Sequence, residues 1–303
     1  MIDKSLFKIN ADVQSALDAN QPIVALESTV TAHGLPRPQN LDTANRMEQI
    51  VRDGGGTPAT IAILDGRLCV GLTQSQLNLI AQTDGIKKVS IRDLSIAVAQ
   101  RWNGATTVAS TSWIASRAGI KVFATGGIGG VHRGPLPDIS GDLPALASTS
   151  IIVVCSGAKI VLDLPATREW LETYGITVVG FGCDELPAFY SRRSGLPIDV
   201  RCDSANEVAD IFLAQQSLGI ERALLVTVPV PEEFEVPADS LKRTLDEALD
   251  QAEKKQIGGR DLTPFLLSRM AQSSEGATLK ANIALLENNA LIAAAIARAL
   301  SQK

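Results

Sequence analysis

Three segments of the 303-residue chain carry residue types that packing alone does not require. In ALESTVTAHGLPRPQN (25–40), Glu27 closes an apolar run, and a polar, Gly/Pro-rich stretch follows at once. A carboxylate at the carboxyl end of a sheet strand stands where α/β proteins place ligands, and it serves as acid or base if its surroundings are dry enough to raise its pKa. Capping a turn or pairing with a cation is the other use of such a residue. The second segment, FATGGIGGVHRG (123–134), sets four glycines among five residues after an apolar run, with His132 and Arg133 behind them. A loop of this kind lets backbone N–H groups approach an oxyanion, for which phosphate is the natural guest; a plain surface turn is the alternative. The G-x-G-x-x-G spacing fails at His132 and no G-K-[ST] follows, so neither familiar nucleotide loop is signalled. His33 and His132, the two histidines, both fall in Gly-rich polar stretches.

The third segment runs from LPDISGDL (136–143) to IIVVCSGAKIVLDL (151–164). Asp138 and Asp142, with Ser140 between them, form an oxygen-rich cluster suited to a hard divalent cation or to sugar hydroxyls, although the same spacing occurs in capped turns. Lys159 follows Ser156-Gly157-Ala158 and precedes Ile160, Val161 and Leu162. Among apolar neighbours a lysine gives up its proton more readily, because burial disfavours the charged form, and a neutral amine attacks a carbonyl carbon to form a Schiff base. The commoner use of lysine is a stem lying along the surface with its ammonium in water.

These residues need elements to position them. Apolar runs at 22–27, 59–64, 67–72, 120–127, 151–157, 176–182 and 223–230 read as strands, several continuous enough for both faces to be covered. Helical patterns lie between them at 41–53, 166–174, 204–218 and 240–256, each stopped by glycine, the last at Gly258-Gly259. A final helix over 279–300 is too apolar to face water all round. The alternation predicts an α/β fold around a mostly parallel sheet, with Asp65-Gly66 as a tight hairpin that makes one edge mixed. No repeat or linker divides the chain, and one domain over 1–303 is expected.

Composition narrows the function. Hydrophobic residues make up 45% and charged residues 20%, as in a globular protein with a large core. The net charge of −5 and an aromatic content of 4% argue against a nucleic-acid surface. No run reaches the roughly 20 apolar residues of a bilayer span, and the first residues lack a secretion profile, so no membrane partner is expected and the location is expected to be cytoplasmic. Cys69, Cys155, Cys183 and Cys202 are scattered singly, which signals neither a zinc knuckle nor a disulfide framework, and Cys155 reads as a buried thiol.

In order along the chain, ALESTVTAHGLPRPQN, KVSIRDL (88–94), GATTVAST (104–111), FATGGIGGVHRG, DISGDL, VVCSGAK and TPFLL (263–267) resemble the pseudouridine-5′-phosphate glycosidase family, also called indigoidine synthase A-like. The resemblance covers about residues 15 to 300. It implies a single-domain α/β/α layered fold, a homotrimer, and reversible cleavage of pseudouridine 5′-phosphate to uracil and ribose 5-phosphate with a divalent metal, Mn²⁺ or Mg²⁺. By the resemblance Glu27 is the proton donor, Lys159 the nucleophile and Asp138 the metal ligand. Ser140, Gly141, Asp142, Lys88 and Val108 match substrate positions, with Thr125, His132 and Asn282 as further substrate contacts. Asn282 and Asn289 are seven apart on the last helix, and that face suits uracil or a subunit contact. Glycine at 141 and isoleucine at 91 depart from the residues expected in some members. Two rival readings are an aldolase, lyase or pigment-pathway relative that keeps the lysine on another phosphosugar, and a phosphosugar binder without catalysis.

Overall fold

The computed structural model describes residues 3–133, 138–257 and 262–303. Gly134, Leu136 and Pro137 of the expected ligand segments and the Gly258-Gly259 helix stop lie outside the described residues. In chain order the strands are β1 (Phe7–Ile9), β2 (Ile23–Leu26), β3 (Thr57–Leu64), β4 (Arg67–Val70), β5 (Lys87–Val89), β6 (Gly104–Thr106), β7 (Val122–Ala124), β8 (Val131–His132), β9 (Ile152–Cys155), β10 (Leu162–Asp163), β11 (Thr177–Phe181), β12 (Val200–Cys202) and β13 (Leu224–Thr227). The helices are α1 (Ala11–Asp18), α2 (Gln39–Asp53), α3 (Gln74–Gln82), α4 (Leu94–Ala99), α5 (Val108–Arg117), α6 (Asp142–Leu146), α7 (Leu164–Thr173), α8 (Ala205–Ser217), α9 (Ala238–Lys254), α10 (Leu262–Ser273) and α11 (Ala277–Ser301).

Nine strands line up as β1-β4-β3-β2-β7-β9-β13-β11-β12, and β6 joins the same sheet by pairing with β3 and β5. From β3 through β2, β7, β9, β13 and β11 to β12 every pairing is parallel, whereas β3 runs antiparallel to β4 and β6. The mixed edge comes from Asp65 and Gly66, whose φ values of 48° and 71° are the left-handed pair that a two-residue hairpin needs. Adjacent residues of a strand point to opposite faces, yet Val24 and Ala25, like Val153 and Val154, are fully buried, so helices cover both sides of the sheet. Helix α11 lies across β2, β7 and β9 and against α2 and α8, and α1 and α5 pack on β2 and β3. The α/β/α layering follows from this two-sided cover.

Helix ends differ from the sequence reading by a residue or two, and side-chain caps account for two of the starts. Asp163 accepts from the Ala166 amide to open α7, and Ser204 with Glu207 forms a capping box on α8. Strands such as KKV and GAT are three residues long and carry no continuous apolar run, so hydrophobicity does not reveal them. Helix α11 has the length and apolarity of a bilayer span, but Leu285, Leu286, Ala290, Ala293, Ala294 and Ile296 are all fully buried against the sheet and its neighbours. Its apolarity serves the core. The small side chains allow a close approach: a Cβ built on Gly54 would stand 2.7 Å from the Ala294 Cβ.

Candidate active site

The chain leaves β2 toward β3 on one side, while β7 leads to β9 on the other, so the carboxyl end of β2 is a point where the winding direction reverses. Glu27 stands there. The polar residues after it fasten the strand end: the Ser28 hydroxyl donates to the Ile61 carbonyl (2.6 Å) and accepts from the Thr106 amide (2.9 Å), and the Thr29 hydroxyl donates to the Thr106 carbonyl (2.6 Å). A wide π-type turn at Val30–Gly34 then brings His33 to the same cavity.

That cavity has a volume of about 690 Å³ and is bordered by Glu27, Lys88, Val108, His132, Asp138, Ser140, Gly141, Asp142, Lys159 and Asn282. Ten of the eleven expected residues therefore share one space. Thr125 is the exception. It is fully buried and outside the cavity lining, and its hydroxyl donates to Oε1 of Glu27, so it supports the carboxyl from behind. Burial pushes the Glu27 carboxyl above the usual glutamate range, and Asp142 adds to the effect, while the charge of Lys159, the Thr125 hydroxyl and Lys88 work against it. A carboxyl that keeps its proton at higher pH is suited to donating it.

Lys159 is half-buried at the end of a constrained turn after β9. Its amide donates to the Ile128 carbonyl (3.1 Å), and the Ile128 amide donates to the Gly157 carbonyl (3.1 Å), which ties the turn to the glycine-rich loop. Gly157 has φ 81°, and a Cβ there would overlap the Pro187 carbonyl oxygen. Gly157→Ala therefore combines left-handed strain with a backbone clash, and chemical denaturation should find a loss of about 2–5 kcal/mol. An unchanged midpoint would mean that the turn relaxes freely. Cys155, just before it, is fully buried, and burial pushes its thiol up to about 12, consistent with a structural role.

The glycine-rich loop has, besides the expected approach to a ligand, a packing reason for its glycines. A Cβ on Gly129 would overlap the Ser140 side chain, one on Gly130 would overlap the Thr167 hydroxyl, and one on Gly127 would stand 2.8 Å from the Phe189 ring. Some of its amides are bonded inside the protein as well: Gly129 donates to Asp142 Oδ2 (2.8 Å), Val131 to the Thr167 hydroxyl (3.0 Å) and His132 to the Asp138 carbonyl (2.8 Å), while Gly126, Gly127 and Gly129 border the cavity. Close packing of loop on loop is what the glycines permit. The short pairing of β8 with β10, Leu162 opposite His132, fastens this loop to the Lys159 turn a second time.

Asp138 and Asp142 both border the cavity but differ in their surroundings. Asp142 is buried, and its two oxygens accept from the Ala109 amide at the start of α5 (2.9 Å) and from Gly129, so it caps a helix and anchors the loop. Asp138 is exposed on the cavity rim. Among the described residues no three His, Cys, Asp or Glu side chains come together as a metal-ligand set. One free carboxylate with water and substrate oxygens is a common arrangement for Mg²⁺-like ions, so the donors fit an ion held jointly by Asp138 and a ligand, not an all-protein cage. Burial holds the His132 imidazole below the ordinary histidine range against the pull of Asp138, with Lys88 and Lys159 adding to the lowering, which favours the neutral ring near pH 7.

Sequence reasoning did not assign Arg92, Thr107, Phe189, Thr263 or Leu267, all of which also border the cavity. Arg92 and Thr263 stand inside the KVSIRDL and TPFLL motifs, but Phe189 lies in a loop far from any motif and had no local signal.

Comparison with known proteins gives three concordant findings. The family model described as indigoidine synthase A like protein matches residues 12–299. A curated pseudouridine-5′-phosphate glycosidase of Clostridium botulinum is 47% identical, covering 100% of this chain and 99% of that protein, and one of Jannaschia sp. is 50% identical, covering 96% and 97%. A crystal structure of a prealnumycin C-glycosynthase in complex with ribulose 5-phosphate superposes with a TM-score of 0.91 at 39% identity, covering 99% of this chain and 98% of that one.

Proposed function

The chain belongs to the indigoidine synthase A-like protein family, and on that premise we propose that it is an enzyme that reversibly cleaves the C–C glycosidic bond of pseudouridine 5′-phosphate, giving uracil and ribose 5-phosphate. The single observation that carries this reading is the meeting of a buried carboxyl of raised pKa, Glu27, and a lysine, Lys159, in one cavity at the sheet's switch point.

The bond broken joins C1′ of ribose to a ring carbon of uracil, so no glycosidic heteroatom is present to protonate and the usual two-carboxylate scheme has no leaving-group oxygen to act on. Glu27 gives its proton to the ribose ring oxygen as the Lys159 amine bonds to C1′ and the C1′–O bond breaks, opening the sugar. The attached nitrogen returns a proton to the Glu27 carboxylate, its freed lone pair forms the C=N bond, the electron pair of the C1′–uracil bond leaves on the ring carbon, and that carbon takes the proton from Glu27. Water adds to the imine carbon, the amine departs, and ribose 5-phosphate is released. Lys88 and Arg92 supply positive charge for the phosphate, and the hydroxyl of Ser140 and the backbone around Gly141 and Val108 are within the same cavity for the sugar. A divalent ion, Mn²⁺ or Mg²⁺, would be held by Asp138 and would neutralise negative charge on the substrate when bound. A homotrimer, a cytoplasmic location and the whole of 1–303 as one functional unit belong to the same reading.

The synthase neighbour favours a second reading, in which this site builds or breaks a C-glycoside of another acceptor, but the higher identity to the glycosidases favours pseudouridine 5′-phosphate. The test is release of uracil from pseudouridine 5′-phosphate, measured with and without a chelator. Turnover that falls on chelation and returns with Mn²⁺ or Mg²⁺ supports the reading with its metal. Turnover indifferent to chelation sinks the metal alone, and no uracil under metal-replete conditions sinks the reading.

A further inference from the structure

Asn289, on α11, is fully buried and does not border the cavity, so neither substrate nor a second subunit can be its partner. Its partners are two loop ends. The side-chain amide donates to the carbonyls of Thr125 (2.8 Å) and Gly126 (3.4 Å) after β7, and it exchanges hydrogen bonds with the Ser156 hydroxyl after β9 at 3.1 and 3.3 Å. Thr125 is the residue whose hydroxyl meets Glu27, and Ser156 stands three residues before Lys159. The two loops are joined to each other as well, since the Ser156 amide donates to the Gly126 carbonyl (2.9 Å) and the Lys159 amide to the Ile128 carbonyl (3.1 Å). One carboxamide thus grips both the loop that aims the acid and the turn that presents the amine.

We propose that Asn289 is a positioning residue that holds Glu27 and Lys159 in register by fixing Thr125 on one side and Ser156 on the other. This rests on the proposed function above. A buried carboxamide suits the task because it offers two donors and an acceptor in one plane, matching two carbonyls and a hydroxyl; an apolar residue would leave those groups without partners. The benefit is geometric: reacting groups that stray by about 1 Å lose roughly 10²-fold in rate. Around the Glu27 carboxyl stand Lys159 on its turn, Lys88 on β5, Asp142 at the start of α6 and the Thr125 hydroxyl; Asn289 reaches it only through the last of these.

The experiment is steady-state cleavage of pseudouridine 5′-phosphate across pH by the full-length wild type, Asn289→Ala, Thr125→Val and the double variant. Asn289→Ala should lower kcat by roughly 10- to 100-fold with KM within about threefold. The limb on which Glu27 loses its proton should move to higher pH, because a released Thr125 hydroxyl no longer favours the carboxylate. The double variant should fall well short of the product of the two single losses. Losses that multiply, or a limb that does not move, overturn the inference, since a residue that only stabilises the fold would give either result. Should Asn289→Ala fail to accumulate, Asn289→Ser carries the same comparison. A wild type without uracil release overturns the proposed function and this inference with it, whereas an active wild type with multiplying losses overturns this inference alone.

Discussion

Lys159→Ala should abolish uracil release, with a loss of roughly 10⁴-fold or more, the scale seen when a covalent nucleophile is removed. The size follows from the bond. A carbon leaving group departs only if an electron pair is pushed onto C1′, and in the proposed mechanism the Lys159 nitrogen supplies it. Lys159→Arg should be as inactive, because a guanidinium does not shed its charge in proteins. Both variants should keep the wild-type fold, since the side chain is half-buried and the turn is held by backbone bonds to Ile128. Borohydride added with ribose 5-phosphate should trap a secondary amine on Lys159 of the wild type and nothing on Lys159→Ala, read by peptide mass. Near-normal turnover by Lys159→Ala would end the imine mechanism.

Glu27→Gln should cost roughly 10²–10⁴-fold in kcat, the usual contribution of a positioned general acid. The amide preserves size and fills the same buried position, so the loss reports the proton and not a cavity. The pH dependence fixes the sign. Burial raises the Glu27 pKa, so the protonated donor persists to higher pH than a free glutamate would, and activity falls as pH rises through the raised value. That falling limb should vanish in Glu27→Gln, leaving a low rate that no longer declines there. A loss below tenfold with the limb intact would assign the proton to another group.

How much of this was legible in the sequence depends on whether a residue's partners are near it along the chain. Glu27 could be read because a strand end and its following turn are written in six consecutive residues, and Asp65-Gly66 because a hairpin turn needs only two. Thr125 could not. Its hydroxyl meets a carboxylate 98 residues away, a pairing that no local pattern announces and that the resemblance, which implies a substrate contact there, does not mention. Asp142 borders the cavity with Asp138, four residues before it, but its bonds to the amides of Ala109 and Gly129 involve segments that the local pattern does not mention. The glycines of the 126–130 loop signal close approach in the sequence, but the sequence does not show that the protein's own Ser140, Thr167 and Phe189 are among what approaches them. Asn282 and Asn289 share a helix face, and periodicity put them together; burial separates them, one at the cavity and one beneath the loops.

The clamp from Asn289 to Thr125 spans 164 residues, and it has a consequence for biosynthesis. While the polypeptide is being translated, the acid and the amine emerge long before the helix that aligns them. At 5–20 residues per second, roughly 15–50 s separate the appearance of the strand end bearing Glu27 from that of Asn289. A nascent chain in that interval can pair its early strands but cannot yet complete the reaction centre, so competence arrives only when the last long helix docks.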